Sequence, residues 1–108
     1  MAQRNSRIKV PATAKRGEVM QLRCMVMHPM ENGYRIDSQG TRIPVDLVHT
    51  VTCRYDGEEV FRATLGTGMA ANPYFTFYTV ATESGTFEFS WQADDGSVTT
   101  AQTRIEVT

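Results

Sequence analysis

Apolar and polar residues alternate along most of this chain with a period of two, the signature of strands that bury one face. Arg7-Ile8-Lys9-Val10 alternates until Pro11 interrupts it, and Gln21-Leu22-Arg23-Cys24-Met25-Val26 follows the turn-like Lys15-Arg16-Gly17-Glu18. His49 to Tyr55 alternates again and runs into Asp56-Gly57, a dipeptide suited to a tight hairpin because both positions take positive φ. Glu59-Val60-Phe61-Arg62-Ala63 is the returning strand. Tyr74 to Val80, Thr86 to Trp91, and Arg104 to Val107 with some backward extension complete the set, and Asp94-Asp95-Gly96 turns the sixth strand into the seventh. With no run of apolar residues at helical spacing, the pattern predicts an all-β fold: an immunoglobulin-like antiparallel β-sandwich of about seven strands.

The parity of each strand says which faces need cover. Phe87, Phe89 and Trp91 share one face while Glu88, Ser90 and Gln92 share the other, so this strand packs the core and nothing else. Tyr74-Phe75-Thr76-Phe77-Tyr78 is different, because the phenylalanines point one way and the tyrosines the other. Cys24 and Val26 likewise lie opposite Met25 and Met27. A two-layer sandwich covers one face of each sheet, so Met25, Met27, Tyr74 and Tyr78 are candidate contacts for a protein partner, and Tyr and Met are both enriched in interfaces. The plainer alternative leaves the tyrosine hydroxyls in water and the methionines under neighbouring loops.

Between the second and third strands, Pro29 to Val48 is irregular, with turn signals at Asn32-Gly33 and Gln39-Gly40. Loops this long in compact domains are often functional; a solvated connection or a small hairpin is the other reading.

Composition narrows the classes. The 108 residues make one domain, spanning 1–108, large enough to complete a core. Eleven basic and twelve acidic side chains give a net charge of −1, which leaves no broad basic surface for nucleic acid. No apolar run approaches the roughly 20 residues that span a bilayer, and the N-terminal stretch lacks the apolar core of a secretion signal. The expectation is a chain with no address of its own: cytoplasmic, already trimmed, or exported with another protein.

Candidate chemistry is sparse, with no nucleophile-elbow, phosphate-loop, dinucleotide, zinc-protease or EF-hand motif. Cys24 and His28 are four apart, but on a strand that spacing separates them by about 13 Å, too far to share a metal whose ligands stand at about 2.0–2.3 Å. A site shared with His49 or Cys53 would need the third strand alongside; no metal or other cofactor is expected. Asp94 and Asp95 read as a hairpin turn, though adjacent carboxylates can hold a cation weakly. Cys24 and Cys53 fall on the apolar sides of their strands, where a thiol is inert. An inter-sheet disulfide between them is open if the compartment oxidises. The expectation is a binding or structural domain and no enzyme, with a thiol nucleophile as the enzymatic alternative.

His28-Pro29-Met30-Glu31-Asn32-Gly33, followed by Arg35, Asp37, Gly40 and Ile43-Pro44, resembles the Z subunit of the Sox YZ carrier of bacterial sulfur-compound oxidation. The resemblance continues through Ala71-Asn72-Pro73-Tyr74, Glu83-Ser84-Gly85-Thr86-Phe87, Trp91 and Asp94-Asp95-Gly96, nearly the whole chain in order. Asn32 departs from the family, which more commonly carries Thr there. The resemblance implies a periplasmic heterodimer with the Y subunit, whose C-terminal cysteine carries the sulfur intermediate, and transient docking to the enzymes that load, oxidise and hydrolyse it. It implies no nucleic-acid or membrane partner, and export in the company of a signal-bearing subunit. This chain ends at Thr103-Arg104-Ile105-Glu106-Val107-Thr108 without a cysteine, so the expected role is a supporting one. His28, Pro29, Met30, Glu31, Gly33, Arg35 and Asp37 join Met25, Met27, Tyr74 and Tyr78 as candidate partner contacts. His28 and Arg35 can also meet an anionic sulfur conjugate, or can simply hold the loop by hydrogen bonds. The alternative is a free-standing immunoglobulin-like module that binds something else or self-associates as a homo-oligomer.

Overall fold

The computed structural model describes residues 5–28, 30, 36, 38–41, 46–66 and 71–108. Among the described residues eight strands follow in order: β1 (Ser6–Lys9), β2 (Thr13–Ala14), β3 (Val19–Val26), β4 (Val48–Tyr55), β5 (Glu58–Thr64), β6 (Tyr74–Val80), β7 (Gly85–Ala93) and β8 (Val98–Val107). They form a three-stranded sheet in the order β1-β3-β6 and a five-stranded sheet in the order β2-β8-β7-β4-β5. This is the expected immunoglobulin-like sandwich, with one strand more than the period-two reading finds. β2 is only two residues long and pairs in parallel with β8 at Thr13↔Glu106 and Ala14↔Val107, too short to carry any periodicity. β8 extends back to Val98, pairing with β7 down to Gln92.

The turn chemistry acts as its residue types require. Asp56 and Gly57 adopt φ of 52° and 86° between β4 and β5, the left-handed pair a two-residue hairpin needs. At the β7–β8 turn each acidic side chain is engaged: Asp94 Oδ2 accepts from the Leu47 N–H at 3.1 Å, and Asp95 Oδ1 accepts from the Ser97 N–H at 2.8 Å. These carboxylates cap backbone groups, the ordinary use of Asp in turns.

The core lies between the sheets. Leu22, Cys24 and Val26 of β3 face Val51 and Cys53 of β4, Phe87, Phe89 and Trp91 of β7, and Ile105 of β8, all buried. Aromatic rings link the layers: Phe61 of β5 stacks on Phe77 of β6 at 4.2 Å and 6°, Phe77 meets Phe89 at 6.3 Å, and Phe89 meets Trp91 at 6.1 Å. The Tyr55 hydroxyl donates to the Glu83 carbonyl and accepts from the N–H groups of Thr82 and Glu83 at 3.3 and 3.2 Å. It thereby fixes the end of β4 to the β6–β7 connection.

Candidate functional site

The two sheets differ sharply on their outer faces. On the five-stranded sheet the outward residues of the central strands are mostly polar, among them Arg54, Glu88, Ser90, Gln92, Thr100, Gln102 and Arg104, with Val98 exposed at one end, as a solvated sheet face should be. The outer face of the three-stranded sheet is not. Period-two alternation turns Leu22, Cys24 and Val26 inward, which obliges Val19, Gln21, Arg23 and Met25 outward; on β6 the inward Phe75 and Phe77 oblige Tyr74, Thr76, Tyr78 and Val80 outward.

Antiparallel pairing then sets these side chains in rows: Val19 beside Val80, Gln21 beside Tyr78, Arg23 beside Thr76 and Met25 beside Tyr74. Tyr78 is 62% exposed, Tyr74 52% and Met27, just past β3, 45%. Gln21 Nε2 donates to the Tyr78 hydroxyl at 3.1 Å, and Arg23 Nη2 donates to Gln21 Oε1 at 3.2 Å. β1 adds Arg7 beside Met25 and Lys9 beside Arg23. Arg7, Lys9, Met25 and Tyr74 rim a shallow depression of about 400 Å³. Met25, Met27, Tyr74 and Tyr78 therefore share one apolar, partly cationic surface.

His28 and Met30 need a correction. His28 is 1% and Met30 5% exposed, so neither offers surface to a partner or to an anion. Instead they anchor the start of the insert. The His28 N–H donates to Asn72 Oδ1 at 2.8 Å while the Asn72 N–H donates to the His28 carbonyl at 2.7 Å. His28 Nδ1 accepts from the Met30 N–H at 2.9 Å, and the Met30 thioether accepts from the Val48 N–H at 3.3 Å. Asn72 holds φ of 54°, a left-handed conformation that Asn tolerates better than most residues. The clamp sets the entry into β6 two residues before Tyr74. Asn72→Ala is expected to cost about 1–3 kcal/mol, because it strands the buried His28 N–H; urea denaturation measures it. Pro29, Glu31, Gly33, Arg35 and Asp37 lie outside the described residues.

Sequence reasoning missed Asn72, although Ala71-Asn72-Pro73 is on its face a turn signal, and it missed Arg7, Lys9 and Arg23. The alternation of β1 and β3 already puts these cations on the bare face.

Cys24 and Cys53 are free, buried thiols. Burial pushes both up to about 12, and at Cys53 the neighbouring Cys24 adds to the rise. A thiolate is the nucleophilic form, so neither group reacts readily near neutrality. The raised values carry a pH signature. Stability held by the neutral thiols is complete below the unfolded value near 9 and is lost as pH climbs toward 12. The Cys24→Ala/Cys53→Ala double variant is expected to flatten that alkaline decline in denaturation midpoints. Among the described residues no group of three or more His, Cys, Asp or Glu side chains could hold a metal ion.

Comparison with known proteins supplies a context. The sequence matches the family described as sulphur oxidation protein SoxZ over residues 8–104. No curated protein sequence matches it. Among solved structures, the sulfur carrier protein SoxY from Chlorobium limicola f thiosulfatophilum is similar at 14% identity and a TM-score of 0.68, over 95% of this chain and 78% of that one. A superoxide reductase (neelaredoxin) from Ignicoccus hospitalis is similar at 18% identity and a TM-score of 0.71, over 95% and 80% of the two chains. A CARDB domain from Pyrococcus furiosus is similar at 15% identity and a TM-score of 0.56, over 95% and 92%. At these identities the likeness to solved structures is one of fold.

Proposed function

The chain belongs to the SoxZ family of sulphur oxidation proteins, and from that membership we propose that it is the non-catalytic subunit of a Sox YZ carrier in thiosulfate oxidation. In this reading it works in the periplasm, exported with a signal-bearing Y subunit. It binds that subunit as a heterodimer and supports the tail whose cysteine carries the sulfur group, while the enzymes that load, oxidise and hydrolyse the conjugate dock transiently.

The observation that carries the proposal is the unequal dressing of the two sheets. Tyr74, Tyr78, Met25 and Met27 leave an apolar surface on the three-stranded sheet, whereas the outward residues of the five-stranded sheet are mostly polar. Exposed apolar patches rimmed by polar groups mark protein interaction sites, and Tyr supplies hot-spot energy out of proportion to its number. Arg7, Lys9 and Arg23 at the edge of the same surface favour approach by an acidic partner. They also offer an anionic conjugate the positive charge that the buried His28 cannot.

The chemistry of the thiols supports a supporting role as well. A carrier cysteine must meet solvent and ionise; Cys24 and Cys53 do neither. The Cys24→Ala/Cys53→Ala variant, reconstituted with the Y subunit and the loading enzyme, is expected to leave sulfur-transfer turnover unchanged, and a collapse of turnover in a folded variant would assign this chain a covalent role. The pairing itself is tested by size-exclusion chromatography of the chain alone and with its Y subunit. Co-elution as one complex is expected; a monodisperse monomer with no affinity for that subunit overturns the proposal.

A further inference from the structure

We propose that the Y subunit docks by adding a strand to the free edge of β6, so that the three-stranded sheet continues into the partner. This rests on the function proposed above and specifies how the two chains join.

β6 ends its sheet, and among the described residues no strand pairs with its other side. Its backbone polarity follows from the register. The Ala81 N–H donates to the Glu18 carbonyl and the Val26 N–H to the Pro73 carbonyl. Residues 81 and 73 are thus in hydrogen-bonded pairs with β3, and in an antiparallel ladder such pairs recur at every second residue. Phe75, Phe77 and Thr79 therefore turn their N–H and C=O groups toward β3. Tyr74, Thr76, Tyr78 and Val80 turn theirs outward along the open edge. The four residues whose side chains form the bare face also present the unpaired backbone, so face and edge are one continuous binding surface.

Open edges normally carry protection: charges, bulges, Pro or very short strands. β5, the corresponding edge of the other sheet, has it. Glu58, Glu59 and Arg62 stand along it, Glu59 and Arg62 form an ion pair at 2.8 Å, and the register with β4 shifts between Cys53 and Arg54. β6 has none of these. Tyr74-Phe75-Thr76-Phe77-Tyr78-Thr79-Val80 contains no charge, Pro or Gly, and its composition is that of a segment with high strand propensity. One edge of the sandwich is guarded and the other is left able to pair.

The charges on the face say what pairs there. β1, β3 and β6 contain no Asp or Glu, while Arg7, Lys9 and Arg23 stand on the outer face, Lys9 directly beside Arg23. A second copy added at this edge would extend the same face with its own Arg7, Lys9 and Arg23 and no carboxylate, adding positive charge without neutralising any. The complementary occupant is a strand of a different chain with carboxylates on its outer face. Arg23 is in register with Thr76, the small side chain between Tyr74 and Tyr78, over which a guanidinium can reach the incoming strand. Strand addition of this kind takes affinity from main-chain hydrogen bonds and specificity from alternate side chains.

Hydrogen exchange on the complex of the full chain with its Y subunit tests the mode. The amides of Tyr74, Thr76, Tyr78 and Val80 are expected to slow at least about tenfold on binding, and those of Phe75, Phe77 and Thr79 to stay as they are. Thr76→Pro removes an outward donor at an edge position where Pro is compatible with the strand, and is expected to weaken binding about tenfold or more, whereas Thr76→Val is close to neutral. Tight binding with neither edge protection nor a Thr76→Pro effect overturns strand addition and leaves the pairing intact. Failure of the wild-type chain to bind overturns the pairing itself. Edge protection in the isolated chain that rises with its concentration assigns the edge to a second copy and overturns the choice of occupant. Should Thr76→Pro not fold, the exchange pattern of the wild-type complex decides alone.

Discussion

Trp91→Ala is expected to cost about 3–5 kcal/mol, the range for emptying the site of a large buried aromatic. Trp91 is 1% exposed and sits on β7, the middle strand of the five-stranded sheet, between Val51 of β4 and Thr99 of β8. It ends the ring series that begins at Phe61 and passes through Phe77 and Phe89. The hole cannot collapse easily because both neighbouring strands are fixed by long ladders. Domains are stable by only about 5–15 kcal/mol, so this variant is expected to lose a large fraction of the fold's stability. Urea denaturation reads the effect as a lowered midpoint with an unchanged slope. Trp91→Phe keeps most of the volume and is expected to lose about 1–2 kcal/mol, which keeps the test informative if the alanine variant does not fold. A loss below about 1 kcal/mol for the alanine variant would mean that the core is organised around some other residue.

The second large effect is on association. Replacing Tyr74 and Tyr78 together by Ala is expected to weaken binding of the Y subunit by about two to three orders of magnitude, since paired aromatic anchors each contribute roughly 2 kcal/mol at interface centres. The chain's own stability should barely change. Both side chains are more than half exposed, and the hydrogen bond from Gln21 to the Tyr78 hydroxyl is at the surface, where its net value is small. Isothermal titration together with a thermal melt separates the two readouts. A double variant that binds normally would remove these tyrosines from the interface.

Much of this arrangement is legible from strand parity. Tyr74–Val80 has the same limits in sequence and structure, and the opposition of Phe75 and Phe77 to Tyr74 and Tyr78 follows from the two-residue period alone. The Asp56-Gly57 hairpin is equally local, because its geometry depends on two residues that accept positive φ. What parity cannot supply is anything set by distant partners. His28 falls on the inward side of the β3 alternation with Leu22, Cys24 and Val26, but its role as an anchor depends on Asn72, 44 residues away, which returns to bond its backbone. The edge position of β6 is likewise a property of sheet order. A strand reads the same in sequence whether one neighbour or two will cover its backbone, and it is the sheet order β1-β3-β6 that, among the described residues, leaves its far side open. The guarded and unguarded edges become a contrast only once β5 and β6 are known to end their sheets.

The proposed function sets the outer face of the three-stranded sheet against the Y subunit. Hydroxyl-radical footprinting of the chain, free and in complex, tests this most directly, because Met and Tyr side chains are the groups that face carries. Protection of Met25, Met27, Tyr74 and Tyr78 on complex formation, with the exposed Arg54, Val98 and Arg104 of the five-stranded sheet unchanged, is the predicted result. Protection confined to the five-stranded sheet, with Tyr74 and Tyr78 still fully reactive in the complex, would contradict it.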